Sequence, residues 1–426
     1  MKIRLKLPHS QDLLLVIFLI MPVLKGLFIS KIPGGSLLLS FGIVGLIAFS
    51  MIKKKNFFMK YIDVFIVYSI VAVLFIYQFA TNPSVRIWIM RDYGVRHMFL
   101  IGGIFAYPIM RVQDNVGTVM RNMKISAVVL GLYYAYQVIE PITKGYWEYE
   151  QFGILRHSES NMSWSYGMLL LVCIMSILLI IEKKKYMIIP IAVSLVGILL
   201  YGSRGTIISF IIGVVLILLF LENKKADVKK YVLIIIAAAA AMFILSDTGL
   251  TLIENVTDSL GIESRFIDSF LNTLKGGDSF DEESSGRDRI WKVVIGLIKE
   301  NPFGVGVMGH RNAIYRIGIK WGYSHDVFLD LIVELGWIFG TLVILVGLYG
   351  IVKFFRKVKD VRERLLFIIF ITVSCELLLS GYIWLHYGLW GLLGIYMNHF
   401  RAKWQNPKSL QAILNHFNIR ISLDKN

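Results

Sequence analysis

The sequence has little charge and little cysteine. Charged residues make up 17% of its 426 positions, whereas hydrophobic residues make up 56% and the mean hydropathy is +0.65. This balance lies outside the range of soluble globular proteins and excludes that class. The two cysteines, Cys173 and Cys375, fall inside apolar runs, where sulfur acts as a small apolar side chain. We therefore expect neither a disulfide framework nor a cysteine metal site.

The sequence also lacks internal repeats and lacks paired apolar segments interrupted by proline at matching positions. Inverted-repeat transporters typically carry such pairs, because their binding sites form at broken helices. This absence disfavours a transporter. Nucleic acid is disfavoured as a partner as well, because the net charge of +16 comes largely from lysine blocks beside apolar runs, which is the ordinary signal for membrane orientation.

Apolar segments of about 20 residues, the length that a helix needs to cross a bilayer, recur along the chain. We count about twelve and predict an all-α, polytopic membrane protein. The first segment resembles a signal sequence, but it lacks a small-residue cleavage site and another span follows at once, so we expect it to be retained. The prediction divides the chain into spans one to nine (1–246), a helical outer domain (247–326), spans ten to twelve (327–402) and a polar tail (403–426).

Basic residues indicate how the chain is oriented in the membrane. Every second connection is strongly basic, as in 53–60, 111–124, 183–185, 224–230 and 353–364. The positive-inside rule therefore predicts that both termini are cytoplasmic and that residues 247–326 lie outside.

Arginine is enriched on the predicted outer side. We count 10 Arg and 7 Lys there, against 8 Arg and 20 Lys on the cytoplasmic side. Outer positive charge opposes the orientation rule, and the planar guanidinium binds phosphate or carboxylate through two hydrogen bonds where lysine acts as a point charge. This bias favours an anionic, phosphate-bearing ligand outside; anchoring to lipid headgroups is the alternative.

Three arginines lie at predicted helix N-termini, which favour phosphate. Arg204 stands in a short outer turn, Ser203-Arg204-Gly205. Arg287 and Arg289 begin a helix predicted from about 286 to 300, with Ser284 or Ser285 as N-cap and Asn301-Pro302 as its end. The alternatives are a tight turn with an arginine at the lipid surface and neutralisation of the acidic run 281–283.

Titratable residues follow this helix. His325, where the chain re-enters the membrane, has the pKa range of a general base for a sugar hydroxyl. In the predicted tenth span (327–352), Asp330 and Glu334 share a helical face with Trp337 and Thr341. Charges at that depth indicate function, and we expect Glu376 in the eleventh span (365–381) to face them. Hydrogen bonding between helices is the alternative.

In this order, these residues resemble the signature region of the O-antigen polymerase and O-antigen ligase superfamily. The region comprises Ser203-Arg204-Gly205, the helix from Gly286-Arg287 to Trp291, Asn301-Pro302 with Gly304-Val305-Gly306, and His325-Asp326-Val327-Phe328-Leu329 with Glu334-Leu335-Gly336 and Gly340. It covers roughly 200–345, and the span layout extends the resemblance to the whole chain. The superfamily often has Asn after this histidine, where this chain has Asp326.

The resemblance implies an inverting, metal-independent glycosyltransferase without a cofactor, acting at the periplasmic face of the bacterial inner membrane. Its donor would be an undecaprenyl-diphosphate-linked oligosaccharide. By similarity, Arg204 and Arg287, with Arg289 nearby, would hold the donor diphosphate, and His325 would position or deprotonate the acceptor hydroxyl. The expected partners are the lipid bilayer, a flippase and a chain-length regulator.

Some polymerases of the superfamily carry paired Arg-x10-Gly motifs in outer loops. Arg156 to Gly167 and Arg311 to Gly322 have this spacing, as do Arg91 to Gly102 and Arg265 to Gly276. Candidate contacts to the glycan or acceptor are Arg156, Arg311, Asp326, Asp330 and Glu334.

Our first functional hypothesis is a polymerase that joins lipid-linked repeat units into an O-antigen or capsular chain. The second is a ligase that moves the finished glycan onto lipid A core, by the same chemistry. A transporter or flippase for an anionic glycolipid would instead use Asp330, Glu334 and Glu376. A structural scaffold leaves the outer arginines unexplained.

Overall fold

The computed structural model describes most of the chain between residues 10 and 404. The residues that it leaves out within those limits are 28–31, 33, 55, 91–102, 152–153, 159–160, 222–286 apart from 251, 255 and 259, 320–321 and 379–380. The predicted ninth span (231–246), nearly all of 247–286 with the two serine caps and the acidic run, the Arg91 and Arg265 motifs, and the tail beyond 404 lie outside the described residues.

Helices dominate the described chain, which confirms the predicted all-α membrane class. In chain order the elements are α1 (Ser10–Leu19), α2 (Met21–Leu27), α3 (Gly35–Ile52), α4 (Phe57–Lys60), α5 (Ile62–Thr81), a 3-10 turn (Pro83–Val85), α6 (Arg86–Met90), α7 (Ala106–Arg111), α8 (Val116–Gln137), α9 (Ile139–Lys144), β1 (Trp147–Gln151), β2 (Ile154–Ser158), α10 (Met162–Ile180), a 3-10 turn (Lys185–Met187), α11 (Ile188–Tyr201), α12 (Arg204–Phe220), α13 (Arg287–Glu300), α14 (Arg311–Arg316), α15 (Val327–Leu335), α16 (Trp337–Lys357), α17 (Val361–Ser374), a 3-10 turn (Cys375–Leu378) and α18 (Tyr387–Trp404). Strands β1 and β2 form an antiparallel hairpin.

Several described helices are long and apolar enough to cross a membrane. Four qualify individually: Ile62–Thr81, Val116–Lys144, Met162–Ile180 and Trp337–Lys357. The pair α1 and α2 adds a fifth, with a bend of 61° between its halves. Further apolar helices at 37–52, 185–201 and 205–220 are shorter. The predicted number of about twelve spans stays a prediction.

Helix α10 lies at the centre of the helix layer. It packs against α8, α11, α12 and α17, and most of its residues are buried. Helices α5 and α16 instead leave large apolar side chains exposed, as at Ile76 and Val346. Such apolar outer surfaces suit contact with hydrocarbon rather than water.

The predicted tenth span is broken at Gly336. This residue has φ 81° and ψ 159°, a conformation that only glycine adopts readily. The loop before α14 docks at the break: Val305 N–H donates to Val333 O (2.9 Å), and Trp337 N–H donates to Pro302 O (3.2 Å). A Cβ on Gly336 would lie 2.5 Å from the carbonyl carbon of Phe303. The glycines at 304, 306 and 336 therefore belong to a place where the backbone of the 302–306 loop closely approaches the backbone of residues 333–337.

The break overturns one prediction. Asp330 and Glu334 on α15 are buried, whereas Trp337 is 54% exposed and Thr341 is exposed. The expected common face is wrong, because helical periodicity does not continue through a residue with positive φ.

The predicted boundary between the last two spans is also wrong. Helix α17 ends at Ser374 and α18 begins at Tyr387, so a connection at 375–386 separates them, and its described part contains only a 3-10 turn. Glu376 lies in this 375–386 connection and pairs with His386 rather than with Asp330 or Glu334.

The helix layer has two ends with different chemistry. We call the end with Lys54, Arg111 and Arg364 the basic end. We call the end with Ser203, Arg287, Tyr323 and His386 the site end. Helices α17 and α18 run between the two ends, since Glu363 and His399 pair at the basic end and Glu376 and His386 pair at the site end.

A buried arginine ties three helices together at the basic end. Arg111 is 2% exposed, and its guanidinium donates to both carboxylate oxygens of Asp63 on α5, at 2.6 and 2.7 Å. It also donates to Asn398 on α18 at 2.7 Å. Because its bonds to Asp63 are buried, removing the cation would leave that carboxylate without its ionic partner inside the protein.

We expect Arg111→Leu to lower the free energy of unfolding by about 3–5 kcal/mol, the usual cost of leaving a buried charge without its partner. Thermal unfolding of the detergent-solubilised protein measures this loss. The matched control is Arg362→Leu, which removes an exposed pair with Asp360 on α17 and should leave the unfolding temperature nearly unchanged. Equal shifts in both variants would contradict the role given to Arg111.

Candidate functional site

Helix α13 carries Arg287 in its first turn. As predicted, the helix ends before Asn301-Pro302. Ile290 and Val294 are fully buried and pack with Ile314 of α14 and Val333 of α15. Trp291 and Ile295, which neighbour Ile290 and Val294 in the sequence, are 39% and 43% exposed, so the buried face of the helix is narrow. Two elements of the signature, α13 and α15, are thus in direct contact.

The residues before α15 form a tight polar turn. Asp326 is the N-cap: its Oδ1 accepts hydrogen bonds from the N–H groups of Phe328 (2.8 Å) and Leu329 (3.0 Å). Asp and Asn cap helices about equally well, so this chain keeps the cap although it departs from the superfamily's usual Asn. The N–H of Ser324 donates to Asp330 Oδ1 (3.0 Å), and Trp291 Nε1–H donates to Ser324 O (2.9 Å). These hydrogen bonds tie the turn to α15 and to Trp291 of α13.

His325 lies within this turn with a positive φ of 60°. Non-glycine residues rarely adopt this conformation, and such strain is found most often at functional positions. The imidazole packs on the ring of Tyr323, with 4.3 Å between ring centroids. The turn thus presents His325 in one orientation.

Arg287 and His325 influence each other electrostatically. Desolvation, and then the positive charge of Arg287, lower the pKa of His325 to about 4, and Asp330 opposes the shift. At pH 7 the imidazole is therefore neutral and able to accept a proton. Desolvation also lowers the pKa of Arg287, but a guanidinium stays charged in proteins.

The Arg287 guanidinium is incompletely bonded. Its Nε is buried and has no hydrogen-bond partner among the described residues. Tyr323 and Tyr166 are the nearby groups that oppose the lowering of its pKa. A desolvated arginine with an unsatisfied donor beside a neutral histidine is suited to an anion and a hydroxyl group in adjacent positions.

Two helix N-termini meet near Tyr166. Ser203 is the N-cap residue of α12, but its side chain makes no cap bond to a backbone N–H of that helix. Its hydroxyl lies 2.8 Å from that of Thr206 and 3.2 Å from that of Ser165 on α10. The N–H of Asn161, the N-cap of α10, donates to Tyr201 O (3.2 Å). Paired helix N-termini and hydroxyl groups favour an anion. Arg204 begins α12, but its side chain lies outside the described part of the chain.

The other predicted arginines lie in different surroundings. Arg289 is exposed on α13. Arg156 lies on β2 opposite Tyr149, and its side chain is outside the described part. Arg311 is fully buried on α14, with its guanidinium 4.6 Å from the ring centroid of Tyr382. Gly322, its partner in the Arg-x10-Gly spacing, packs against the Arg311 methylenes.

The two acidic residues of α15 have intramolecular partners. Glu334 accepts hydrogen bonds from Met308 N–H (2.9 Å), Trp384 Nε1–H (2.9 Å) and the Tyr382 hydroxyl. His310 lies 3.3 Å from Asp330 and 3.7 Å from Glu334. The network joins α15 to the 375–386 connection. Roles of Asp330 and Glu334 as glycan contacts stay predictions.

The sequence alone does not identify three residues of this region, which are His310, Tyr382 and Trp384, and it gives no role to Tyr323, two residues before His325. Tyr382 and Trp384 are two apart, the spacing that puts side chains on one face of an extended segment, but this spacing indicates a site only once the segment is known to be extended.

A cavity of about 530 Å³ adjoins this region at the site end. The bend between α1 and α2, helix α10 and the 375–386 connection form its walls. Its polar lining includes Lys25, Tyr166, Tyr323, Tyr382, Glu376 and His386. Within the ranges that the structure describes, no three or more His, Cys, Asp or Glu side chains are grouped so as to hold a metal ion.

Comparison with known families gives one match. Residues 189–345 match a family model described as O-antigen ligase, and this range includes Arg204, Arg287 and His325. The curated proteins and the solved structures gave no match. The matched range nearly coincides with the signature region found in the sequence, 200–345. Over this range, which is less than half of the chain, the protein is similar to the O-antigen ligase family, and this similarity supports the resemblance to the O-antigen polymerase and ligase superfamily.

Proposed function

We propose that the protein is an O-antigen or capsular polysaccharide polymerase. It joins undecaprenyl-diphosphate-linked repeat units by inverting glycosyl transfer at the periplasmic face of the bacterial inner membrane. The match to the O-antigen ligase family model supports a membrane glycosyltransferase in general. The observation that carries the proposal is the juxtaposition of Arg287, whose buried Nε has no hydrogen-bond partner among the described residues, and His325, a desolvated imidazole.

In the proposed reaction, the donor diphosphate binds at Arg287 and the neighbouring helix N-termini. The acceptor hydroxyl oxygen attacks the anomeric carbon, and the bond between that carbon and the diphosphate breaks. His325 takes the hydroxyl proton, and the electron pair leaves with the diphosphate, whose charge the preorganised guanidinium stabilises. In this scheme arginine charge does the work that a divalent ion does in other transferases.

A ligase is the second candidate, favoured by the description of the matching family. It would use the same donor site and differ only in the acceptor, lipid A core. The family match does not favour the transporter. In addition, both oxygens of Glu334 are occupied by protein donors, which leaves that carboxylate poorly suited to proton coupling. A flippase and a chain-length regulator are the partners that the polymerase proposal implies.

We expect Arg287→Ala to lower polymerisation about 100-fold or more, because the variant lacks the cation that stabilises the leaving group. The assay incubates purified protein with the lipid-linked repeat unit of the source strain, without divalent metal, and resolves the glycan ladder on a gel. Lys292→Ala is the matched control, since Lys292 is an exposed cation one turn further along α13.

Three outcomes of this assay differ in meaning. A ladder that disappears in Arg287→Ala and persists in Lys292→Ala supports the polymerase and its site. Transfer to added lipid A core without a ladder would replace the polymerase with the ligase. A wild-type protein that forms no glycosidic bond with either acceptor contradicts glycosyl transfer.

The pH profile tests His325 directly. Because its pKa is lowered to about 4, the imidazole is neutral above that pH and protonated below it. If the neutral form is the base, kcat/KM should stay flat between about pH 8 and pH 5.5 and lose its His325-dependent part only near pH 4. His325→Ala should lower kcat/KM by about 100-fold or more across the flat region. A fall centred near pH 6.5 would contradict a desolvated His325.

A further inference from the structure

The site-end cavity has the size and lining of a ligand-binding site. Its volume of about 530 Å³ lies within the usual range for small-molecule pockets. Five tyrosines line it: Tyr134, Tyr166, Tyr323, Tyr382 and Tyr387. Aromatic rings offer flat apolar faces that pack against the C–H face of a pyranose, and tyrosine hydroxyls bond to its polar edge. The lining is therefore suited to a sugar.

A carboxylate–imidazole pair lies on the same wall. His386 Nε2 is 3.1 Å from Glu376 Oε2. His386 is 6% exposed, and its Nδ1 is buried without a hydrogen-bond partner in the described chain. Polar groups so placed inside a membrane protein are costly and usually functional. A carboxylate held by a histidine is a strong acceptor for a sugar hydroxyl.

Tyr323 connects this cavity to the proposed reaction centre. Its ring lines the cavity and also packs on His325, with 4.3 Å between the centroids. A sugar in the cavity would therefore contact the tyrosine that packs on the imidazole proposed to take the hydroxyl proton. The donor diphosphate, in contrast, belongs at Arg287 and the helix N-termini. This leaves the cavity as the place for the acceptor sugar.

We propose that this cavity binds the acceptor sugar, with Glu376 accepting a hydrogen bond from one of its hydroxyl groups. His386 acts as a positioning residue that orients the carboxylate, and the tyrosines pack against the ring. This inference rests on the proposed glycosyl transfer and names the residues that recognise its second substrate.

The chain offers a matched control for Glu376. Glu363 and His399 form the same kind of pair between α17 and α18, also at 3.1 Å, but at the basic end. Glu363 borders a separate, smaller cavity of about 130 Å³. Replacing either glutamate with glutamine removes one negative charge from a Glu–His pair at one end of these two helices. Only one of the two replacements changes the proposed sugar site.

The probe is the lipid-free repeat-unit oligosaccharide, released from the lipid-linked precursor of the source strain. It carries no diphosphate leaving group and so serves only as acceptor when the lipid-linked unit is the donor. We expect Glu376→Gln to raise the KM for this oligosaccharide about tenfold, with the KM for the donor unchanged, because a charge-assisted hydrogen bond is lost. Glu363→Gln should leave both values at the wild-type level.

Three results would overturn the inference: an unchanged acceptor KM in Glu376→Gln, an equal rise in Glu363→Gln, or a rise in the donor KM instead. If the wild type forms no product from an authentic donor, the proposed function fails separately. Saturation-transfer NMR then measures binding of the same oligosaccharide without turnover. Binding about tenfold weaker in Glu376→Gln than in Glu363→Gln would still support a sugar site, and equal binding in both variants would reject it.

Discussion

The site depends on one backbone constraint, the break between α15 and α16 at Gly336. A residue with a side chain would collide there with the loop at 302–303, so the break and the docking of that loop require each other. The loop satisfies carbonyl groups that the interrupted helix leaves without partners. As a result α15 is a short helix held at both ends, by the loop at its C-terminus and by Asp326 at its N-terminus.

Because α15 is held at both ends, the polar side chains on it and next to it are held in place as well. The Asp326 cap and the bond from Ser324 to Asp330 hold His325 in a strained turn. Glu334 anchors the other side of the helix to Tyr382 and Trp384. The site thus combines a rigid internal scaffold of buried acids with two side chains, Arg287 and His325, whose polar groups are desolvated. Preorganisation of this kind is what electrostatic stabilisation of a leaving group needs.

The ends of α17 and α18 show how one type of pair serves two purposes. At the basic end, Glu363 and His399 join the two helices beside the buried Arg111 network. At the site end, Glu376 and His386 form an equivalent pair, but the chain around them has left the α-helix and borders a cavity. The change from helix to irregular backbone at 375–386 accompanies the cavity, since irregular backbone at membrane depth occurs where it lines a cavity or is buried in protein.

The sequence by itself determined the helical membrane class, the start and end of α13, and the signature that links Arg204, Arg287 and His325. Hydropathy, caps and short motifs decide these features, and they are local properties of the chain. Tertiary structure alone decided the break at Gly336, the irregular 375–386 connection, the burial of Arg311 and the partners of Glu334. Helical spacing predicts which side chains share a face only while the helix continues, and the partners of Glu334 lie about 50 positions away in the sequence. Such contacts follow from packing, which short-range patterns do not specify.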